Sequence, residues 1–110
     1  MKIGLLGYGT VGKSFYELCK ERSDIACVKT LLYRRARQEL DCIVTDSIDD
    51  IINDSEIDTV VEVMGGIHPA YEYISTAISA GKNIVTANKA VVSEYYDEFN
   101  ELTAQYGVCF

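Results

Sequence analysis

Residues 2–12 decide the fold and read K-I-G-L-L-G-Y-G-T-V-G. The apolar run is typical of a short strand, and Gly7, Gly9 and Gly12 then form a G-x-G-x-x-G pattern in front of an amphipathic segment. In such units the first glycine allows a tight turn, the second lets the backbone approach a pyrophosphate, and the third lets the helix pack close to the strand. The unpaired N–H groups at the start of that helix favour a phosphate. The pattern is weak evidence by itself, but its place between a strand and a helix predicts a nucleotide site.

The composition indicates one globular domain over residues 1–110. Hydrophobic residues make up 48% of the chain and charged residues 25%, an ordinary balance for a soluble protein. The formal net charge of −7 argues against non-specific binding of nucleic acid, which needs a basic surface. An acidic protein that binds an anionic cofactor must concentrate positive charge locally, so the positions of its arginines are informative.

The four cysteines, Cys19, Cys27, Cys42 and Cys109, show no C-x-x-C spacing and have no histidine pair nearby. This pattern argues against zinc and against a redox dithiol, and we expect no metal site. The first residues run directly into a strand, without a signal-peptide pattern, and no apolar run reaches membrane-spanning length. We therefore expect a reduced, cytoplasmic protein that does not associate with membranes.

The first half of the chain alternates between helical and strand patterns. Strand-forming residues at 25–33 and 42–45 predict the second and third strands. The helix between strands one and two should end near residues 22–23. We expect this helix to bury the stripe Val11, Phe15, Leu18 and Cys19, and a later short helix, capped by Asp46 or Ser47, to carry Ile48, Ile51 and Ile52 on one face.

The second half continues the alternation. Residues 58–64 are nearly all apolar, as expected for a strand covered on both faces, and residues 83–86 predict a fifth strand. Pro69 suits the first position of the intervening helix, and Gly81 suits its end. The buried stripes are predicted as Ala70, Tyr73, Ile74, Ala77 and Ile78 in that helix, and Tyr95, Phe99, Leu102 and Tyr106 in a last helix ended by Gly107.

Alternating strands and helices joined by short turns predict an α/β fold. We expect a Rossmann-type, doubly wound parallel sheet in a three-layer α/β/α arrangement with strand order 3-2-1-4-5. Residues 108–110 look like the opening of a sixth strand. We therefore expect a fragment of a longer protein.

The end of strand two discriminates between cofactors. Domains that prefer NAD usually carry an acidic residue there for the ribose 2′-hydroxyl, whereas this chain reads Tyr33-Arg34-Arg35. A guanidinium can bind a 2′-phosphate through forked hydrogen bonds and stack on adenine. The alternative is a solvated basic turn. We predict that Arg34 and Arg35 favour NADP(H), with NAD(H) as the weaker alternative.

Two further strand ends should face the same crevice. Gly65 and Gly66, after strand four, either let the chain turn or let the cofactor lie against bare backbone, and we favour both functions. The single histidine, His68, precedes a proline and is more typical of a helix entry than of catalysis. Glu62, inside strand four, is expected to be a buried, hydrogen-bonded structural carboxylate, with a substrate contact as the less favoured alternative.

Lys89 follows strand five and the small polar pair Thr86 and Asn88, all of which we place in the cofactor site. A partly desolvated lysine beside a nicotinamide can bind a carbonyl oxygen or help to move a proton, so Lys89 is our catalytic candidate. On spacing alone, a surface lysine at the loop is an equal alternative.

Three motifs together resemble the nucleotide-binding domain of the homoserine dehydrogenase family: G-Y-G-T-V-G at 7–12, V-V-E-V-M-G-G-I-H-P-A at 60–70 and A-G-K-N-I-V-T-A-N-K-A at 80–90. The resemblance extends over essentially all 110 residues. It implies the reduction of aspartate semialdehyde to homoserine with NAD(P)H, in threonine, methionine and isoleucine biosynthesis. It also implies a homodimeric full-length enzyme whose substrate ligands and second catalytic lysine lie in a later domain, so this segment alone should bind cofactor without turnover.

The resemblance also implies individual roles. Tyr8, Thr10 and Val11 would contact the cofactor from the glycine turn, and Arg34 would bind the 2′-phosphate. Gly65 and Gly66 would lie along the ribose and nicotinamide. Lys89 matches the lysine of the family's T-x-N-K motif, which lies at the nicotinamide and substrate and is thought to assist catalysis.

Two alternatives to this interpretation stay open. The first is a related amino-acid dehydrogenase, such as an aspartate dehydrogenase, against which the T-A-N-K motif weighs. The second is a module that senses dinucleotides without catalysing a reaction. Sequence beyond residue 110 would separate them, because fold alone does not determine function.

Overall fold

The computed structural model describes residues 1–33 and 40–110. Over these ranges the chain forms five strands and four helices. The strands are β1 (Lys2–Leu6), β2 (Cys27–Leu32), β3 (Ile43–Thr45), β4 (Thr59–Glu62) and β5 (Asn83–Thr86), and the helices are α1 (Thr10–Glu21), α2 (Asp49–Ile52), α3 (Ala70–Ser79) and α4 (Lys89–Tyr106).

The strands form one parallel sheet in the order β3-β2-β1-β4-β5. This is the doubly wound order expected from the alternation of strands and helices, so the predicted fold class is confirmed. All five strands place their carboxyl ends at one edge of the sheet, where the loops that carry the candidate residues begin.

The core has two parts, one on each face of the sheet. Ile3 and Leu5 of β1 pack on the α1 side with Tyr16 and Cys19. The neighbouring residue Leu6 points to the opposite side, because side chains alternate along a strand. There it joins a larger cluster with α2, α3 and α4, which includes Ile51, Ile74, Ile78, Val91 and Phe99. These two clusters complete the three predicted layers.

The predicted buried face of α1 is wrong in part. Val11 and Leu18 are 54% and 56% exposed, and the buried residues are Gly12, Tyr16 and Cys19. The cause is the close approach of Gly12 to the turn after β1, which rotates the face containing residues 12, 16 and 19 toward the sheet. Phe15, at the edge of this face, is partly buried.

Several predicted boundaries move by a few residues. Ile25 N and Ala26 N bond to Arg22 O in a turn, so β2 begins only at Cys27. The short helix α2 has Ile48, rather than Asp46 or Ser47, at its N-cap. Pro69 is the N-cap of α3 and precedes its first residue. The carbonyl of Pro69 accepts the N–H of Tyr73.

The last helix follows its predicted stripe except at its end. Tyr95 has non-helical backbone angles (φ −123°, ψ 26°) inside α4, but Tyr95 and Leu102 still pack against the core cluster that contains Phe99. Phe99 and Thr103 are buried, whereas Tyr106 is 43% exposed. Gly107 ends the helix in the left-handed conformation, as predicted.

Residues 108–110 form no strand among the described residues. The carbonyl of Cys109 nevertheless accepts the N–H of Ile84 at 2.9 Å, and Cys109 N donates to Asn83 Oδ1 at 2.9 Å. The segment predicted as the opening of a sixth strand thus touches the outer edge of β5 without extending along it.

Candidate functional site

The turn between β1 and α1 lies at the carboxyl edge of the sheet. Gly7 has φ +104°, a conformation that favours glycine, and its N–H donates to Leu32 O of β2 at 3.2 Å. Gly12 is buried under this turn, since a β-carbon there would lie 2.3 Å from Gly7 O and 3.2 Å from Val63 Cγ2. The glycines at 7 and 12 therefore let α1 begin directly against β1 and β4.

Gly9 faces open space. A β-carbon at this position would meet nothing within 4 Å among the described residues. Gly9 is the N-cap of α1, and over the described part of the chain no side chain caps the helix and its first turn carries no acidic residue. The N-terminal N–H groups and the positive end of the helix dipole are thus left facing this space, the arrangement that favours a phosphate. Thr10 and Val11 open the helix with exposed side chains.

A cavity of about 480 Å³ opens above the turn, between the ends of β1, β2 and β4. This volume suits part of a dinucleotide-sized ligand. Tyr8 and Tyr33 form one wall, with ring centroids 5.6 Å apart, and Tyr8 also packs edge-on against Tyr16 at 6.0 Å. The other lining residues are Gly7, Gly9, Leu32, Asp46, Val63, Met64, Pro69 and Tyr73.

The predicted arginine site lies outside the described residues, as Arg34 and Arg35 fall within residues 34–39. Tyr33, which immediately precedes them, lines the cavity, and its N–H donates to Thr45 O of β3 at 2.8 Å. The chain therefore leaves β2 beside the cavity.

Asp46 lines the same cavity, a position that was not predicted from the sequence, where Asp46 or Ser47 was the expected cap of the short helix. Its side chain is exposed. The available signal was topological: Asp46 directly follows β3, whose carboxyl end lies at the same edge of the sheet.

Glu62, at the end of β4, is completely buried and accepts three hydrogen bonds. Its Oε1 accepts the hydroxyl of Thr86 at 2.5 Å, and its Oε2 accepts Met64 N at 2.9 Å and Asn88 Nδ2 at 3.2 Å. A buried carboxylate needs such partners, because an unpaired one costs several kcal/mol or more. Glu62 is therefore the buried, hydrogen-bonded carboxylate that the sequence predicted.

The side chains of Thr86 and Asn88 turn toward the protein. The Thr86 hydroxyl, besides donating to Glu62, accepts Asn88 N at 3.0 Å. Asn88 Nδ2 donates to Gly66 O at 2.5 Å as well as to Glu62, and its Oδ1 caps α4 by accepting Val91 N at 3.3 Å. The polar groups of these two predicted cofactor residues thus serve to connect the loops after β4 and β5.

Gly65 and Gly66 are exposed. They adopt φ +79° and +75°, backbone angles that residues other than glycine rarely adopt. A β-carbon on either would face open space among the described residues. The loop therefore presents bare backbone beside the cavity-lining residue Met64.

His68 follows this loop and pairs with Glu72 four residues later, at 2.8 Å from Nδ1 to Oε2. This hydrogen bond holds the pKa of the Glu72 carboxyl below its ordinary value. His68 thus lies at the entry to α3, the place that the sequence favoured over a catalytic one.

Lys89 is the first residue of α4 and is exposed. It lines a second, smaller cavity of about 340 Å³ together with Thr86, Ala87, Asn88, Val92 and Ser93. The catalytic candidate and the glycine turn are therefore at the same edge of the sheet but in separate depressions.

Within residues 1–33 and 40–110, no group of three or more His, Cys, Asp or Glu side chains is arranged to hold a metal ion. Over the same ranges, no helix has the length and apolar character to cross a membrane.

Comparisons with known proteins agree with this geometry. The family described as homoserine dehydrogenase, NAD binding domain, matches residues 7–110. A homoserine dehydrogenase of Synechocystis sp. is 39% identical over 119 residues, covering 98% of this chain and 28% of the relative. Another, of Lactococcus lactis, is 35% identical over 125 residues, covering 98% of this chain and 29% of the relative.

Solved structures give the same result. The crystal structure of S. aureus homoserine dehydrogenase superposes with a TM-score of 0.89 at 30% identity, over 99% of this chain and 31% of that chain. This chain therefore spans less than a third of the relatives that it matches. Since the family match covers nearly all of its residues, the chain belongs to the homoserine dehydrogenase family, in which it corresponds to the NAD-binding domain.

Proposed function

We propose that this chain binds NADPH in the cavity above the glycine turn and accepts NADH more weakly. The observation that carries the proposal is the open space at Gly9, which lies against the free N-terminus of α1 beside that cavity. A pyrophosphate at this position would accept N–H groups from Gly9, Thr10 and Val11 and interact with the helix dipole. Gly7 and Gly12 would keep the backbone close enough for these contacts.

The adenosine half would lie toward the end of β2. Tyr8 and Tyr33 provide aromatic surface there, and the guanidinium groups of Arg34 and Arg35 follow directly in the sequence. We propose that these arginines bind the 2′-phosphate, which accounts for the preference for NADPH. The formal net charge of −7 makes such a local concentration of positive charge necessary.

The nicotinamide half would lie along Gly65 and Gly66, toward Thr86 and Asn88. Bound NADPH would supply the hydride, and this chain would orient the nicotinamide that carries it. We propose Lys89 as the catalytic residue of this segment, because its exposed ammonium at the start of α4 can contact a carbonyl oxygen of a substrate held at this edge.

For the whole protein we propose homoserine dehydrogenase activity, the name that its relatives carry. As the resemblance implies, this activity would interconvert aspartate semialdehyde and homoserine within amino-acid biosynthesis. In this proposal residues 1–110 form the cofactor domain, and the substrate-binding and dimer-forming residues lie in a further domain. The enzyme would be a cytoplasmic homodimer, and this domain by itself would bind the dinucleotide without turnover.

Calorimetric titration of the chain with NADPH and NADH tests the proposal. Arg34→Ala should weaken NADPH binding by about 1.5–3 kcal/mol, the range for hydrogen bonds to charged groups, and leave NADH binding nearly unchanged. Arg22→Ala is the matched control, because it removes the same charge at the C-terminal end of α1, away from the cavity.

The outcomes separate the parts of the proposal. Equal affinities of the native chain for NADPH and NADH would refute the arginine assignment and leave dinucleotide binding intact. Binding of neither cofactor would refute the proposed function of this chain.

A further inference from the structure

The buried Glu62 carboxylate forms hydrogen bonds with both loops that follow β4 and β5 in the candidate site. Glu62 and Thr86 are direct register partners at the ends of β4 and β5, so their side chains lie on the same face of the sheet. The Thr86 hydroxyl donates to Glu62 Oε1 at 2.5 Å and fixes the two strand ends relative to one another.

The same carboxylate reaches both loops that leave these strands. Its Oε2 accepts Met64 N, at the start of the loop that contains Gly65 and Gly66. It also accepts Asn88 Nδ2, from the residue that caps α4. Asn88 closes the connection by donating to Gly66 O. We call this set of contacts the Glu62 network; it comprises the side chains of Glu62, Thr86 and Asn88 and the backbone of Met64 and Gly66.

We propose that Glu62 is a positioning residue for the nicotinamide half of the cofactor: through its network it holds the Gly65-Gly66 backbone and the start of α4, with Lys89, in one fixed arrangement. This inference rests on the proposed function, since it concerns the site that would hold the nicotinamide. It differs from a direct cofactor role for Thr86 and Asn88, whose polar atoms are engaged within the protein.

The burial of the network supports this assignment. Glu62 is 0% exposed and Asn88 6% exposed, whereas Gly65, Gly66 and Lys89 are exposed beside them. The side chains of Glu62 and Asn88 therefore lie beneath the groups that a ligand can reach, and the half-buried Thr86 lies between the two levels. Binding to a preorganised loop pair avoids the entropic cost of ordering it, so loosening the network should weaken contacts to the nicotinamide half selectively.

The adenosine half provides an internal reference. The proposed adenosine contacts, Tyr8 and Tyr33, follow β1 and β2, whereas the Glu62–Thr86 pair joins β4 and β5. We define the nicotinamide gain as the affinity of the chain for NADPH divided by its affinity for adenosine 2′,5′-bisphosphate. A positioning role for Glu62 predicts a change in this ratio, while a merely structural role would weaken both ligands together.

The experiment is a calorimetric titration of the native chain and four variants with both ligands. Glu62→Gln removes the negative charge and one of the two acceptor oxygens of the network, and Thr86→Val removes one donor. Each should lower the nicotinamide gain by up to about tenfold, because binding would then have to supply the ordering that one charged hydrogen bond within the protein provides. Thr86→Ser keeps the hydroxyl and should preserve the gain.

Thr59→Val is the matched control. Thr59 is also buried, and its hydroxyl also donates to a carboxylate, Asp58 Oδ1, at 2.7 Å, but at the opposite end of β4. This variant should lose stability without a change in the nicotinamide gain. If Glu62→Gln does not fold, Thr86→Val against Thr86→Ser decides the question.

Three results would overturn the inference. The nicotinamide gain could stay unchanged in both Glu62→Gln and Thr86→Val, or these variants could lose affinity for NADPH and for adenosine 2′,5′-bisphosphate in parallel. The third result is a native chain that binds these two ligands equally well. Failure of the native chain to bind either NADPH or NADH would instead refute the proposed function itself, and the inference with it. Titration of the native chain with NADPH and NADH therefore distinguishes failure of the proposed function from failure of the inference alone.

Discussion

The backbone oxygen of Gly7 occupies the place where a side chain on Gly12 would begin: a β-carbon on Gly12 would lie 2.3 Å from it. The obstructing atom belongs to the backbone of a tight turn, so it cannot move aside like the end of a flexible side chain. Gly12→Ala should therefore destabilise the chain by about 1–3 kcal/mol, the usual cost of overpacking. Chemical denaturation followed by circular dichroism measures this difference.

Gly9→Ala is the counterpart of this variant. An alanine β-carbon at Gly9 would project into open space from a backbone with φ −77°, which alanine adopts without strain. Its stability should stay within about 0.5 kcal/mol of the native chain, as for an ordinary surface substitution. Its affinity for NADPH should fall, since the methyl group occupies the proposed pyrophosphate position. Equal stability of the two alanine variants would contradict the packing argument.

This glycine pair also shows how far the sequence could predict the fold. The strand–turn–helix pattern was sufficient to predict the β1–α1 unit, and the order of the five strands followed from the alternation of elements. The buried face of α1 was mispredicted because a stripe of large apolar residues was chosen over the position of Gly12. A helix that packs through Gly12 must bury residues 16 and 19 with it, which leaves Val11 and Leu18 exposed.

The candidate site was predictable in position and less so in detail. The carboxyl ends of parallel strands meet at one edge, so the sequence indicated the loops at 7–12, 65–66 and 86–89. It could not indicate that Thr86 and Asn88 face Glu62, because that depends on the register between β4 and β5. Asp46 was missed for a related reason: its neighbours across the cavity come from distant parts of the chain.

Near the amino-terminal end of β2, Lys29 forms ion pairs with two carboxylates. Its Nζ lies 2.6 Å from Asp54 Oδ2 and 3.0 Å from Glu56 Oε1. These hydrogen bonds hold the pKa of both carboxyl groups below their ordinary values of 3.8 and 4.5. The resulting stabilisation is therefore complete above the ordinary values and is lost as the pH falls through the lowered ones.

Lys29→Met should reduce this dependence. The part that remains comes from Lys2, 3.1 Å from Glu56 Oε1, and from the Glu56 N–H that Asp54 accepts. The free energy of unfolding of the native chain should exceed that of the variant by a constant amount above about pH 5, and the difference should shrink steadily on acidification. Urea denaturation from pH 7 to pH 2 measures it. Lys13→Met, the same charge change in α1, is the control and should follow the native profile. A difference that persists unchanged at pH 2 would show that Lys29 acts through packing of its aliphatic chain.

Asp46 places a carboxylate on the wall of the cavity in which we propose that NADPH binds. At neutral pH it should repel the 2′-phosphate, a Coulomb interaction of about 1 kcal/mol for charges a few ångströms apart in water. Asp46→Asn should therefore raise the affinity for NADPH by about two- to fivefold at low ionic strength. The increase in affinity should be smaller for NADH, which lacks the 2′-phosphate, and should diminish as added salt screens the charge.

Calorimetric titrations at two salt concentrations measure this effect, and Asp24→Asn provides the matched control. Asp24 is exposed in the turn that follows α1, so its replacement changes the net charge equally at a distance from the cavity. The opposite result, a fall in NADH affinity on Asp46→Asn, would mean that the carboxylate accepts a hydrogen bond from the ribose. In that case Asp46 would perform the task that an acidic residue after β2 performs in NAD-dependent domains, and the preference for NADPH over NADH that we propose would be refuted.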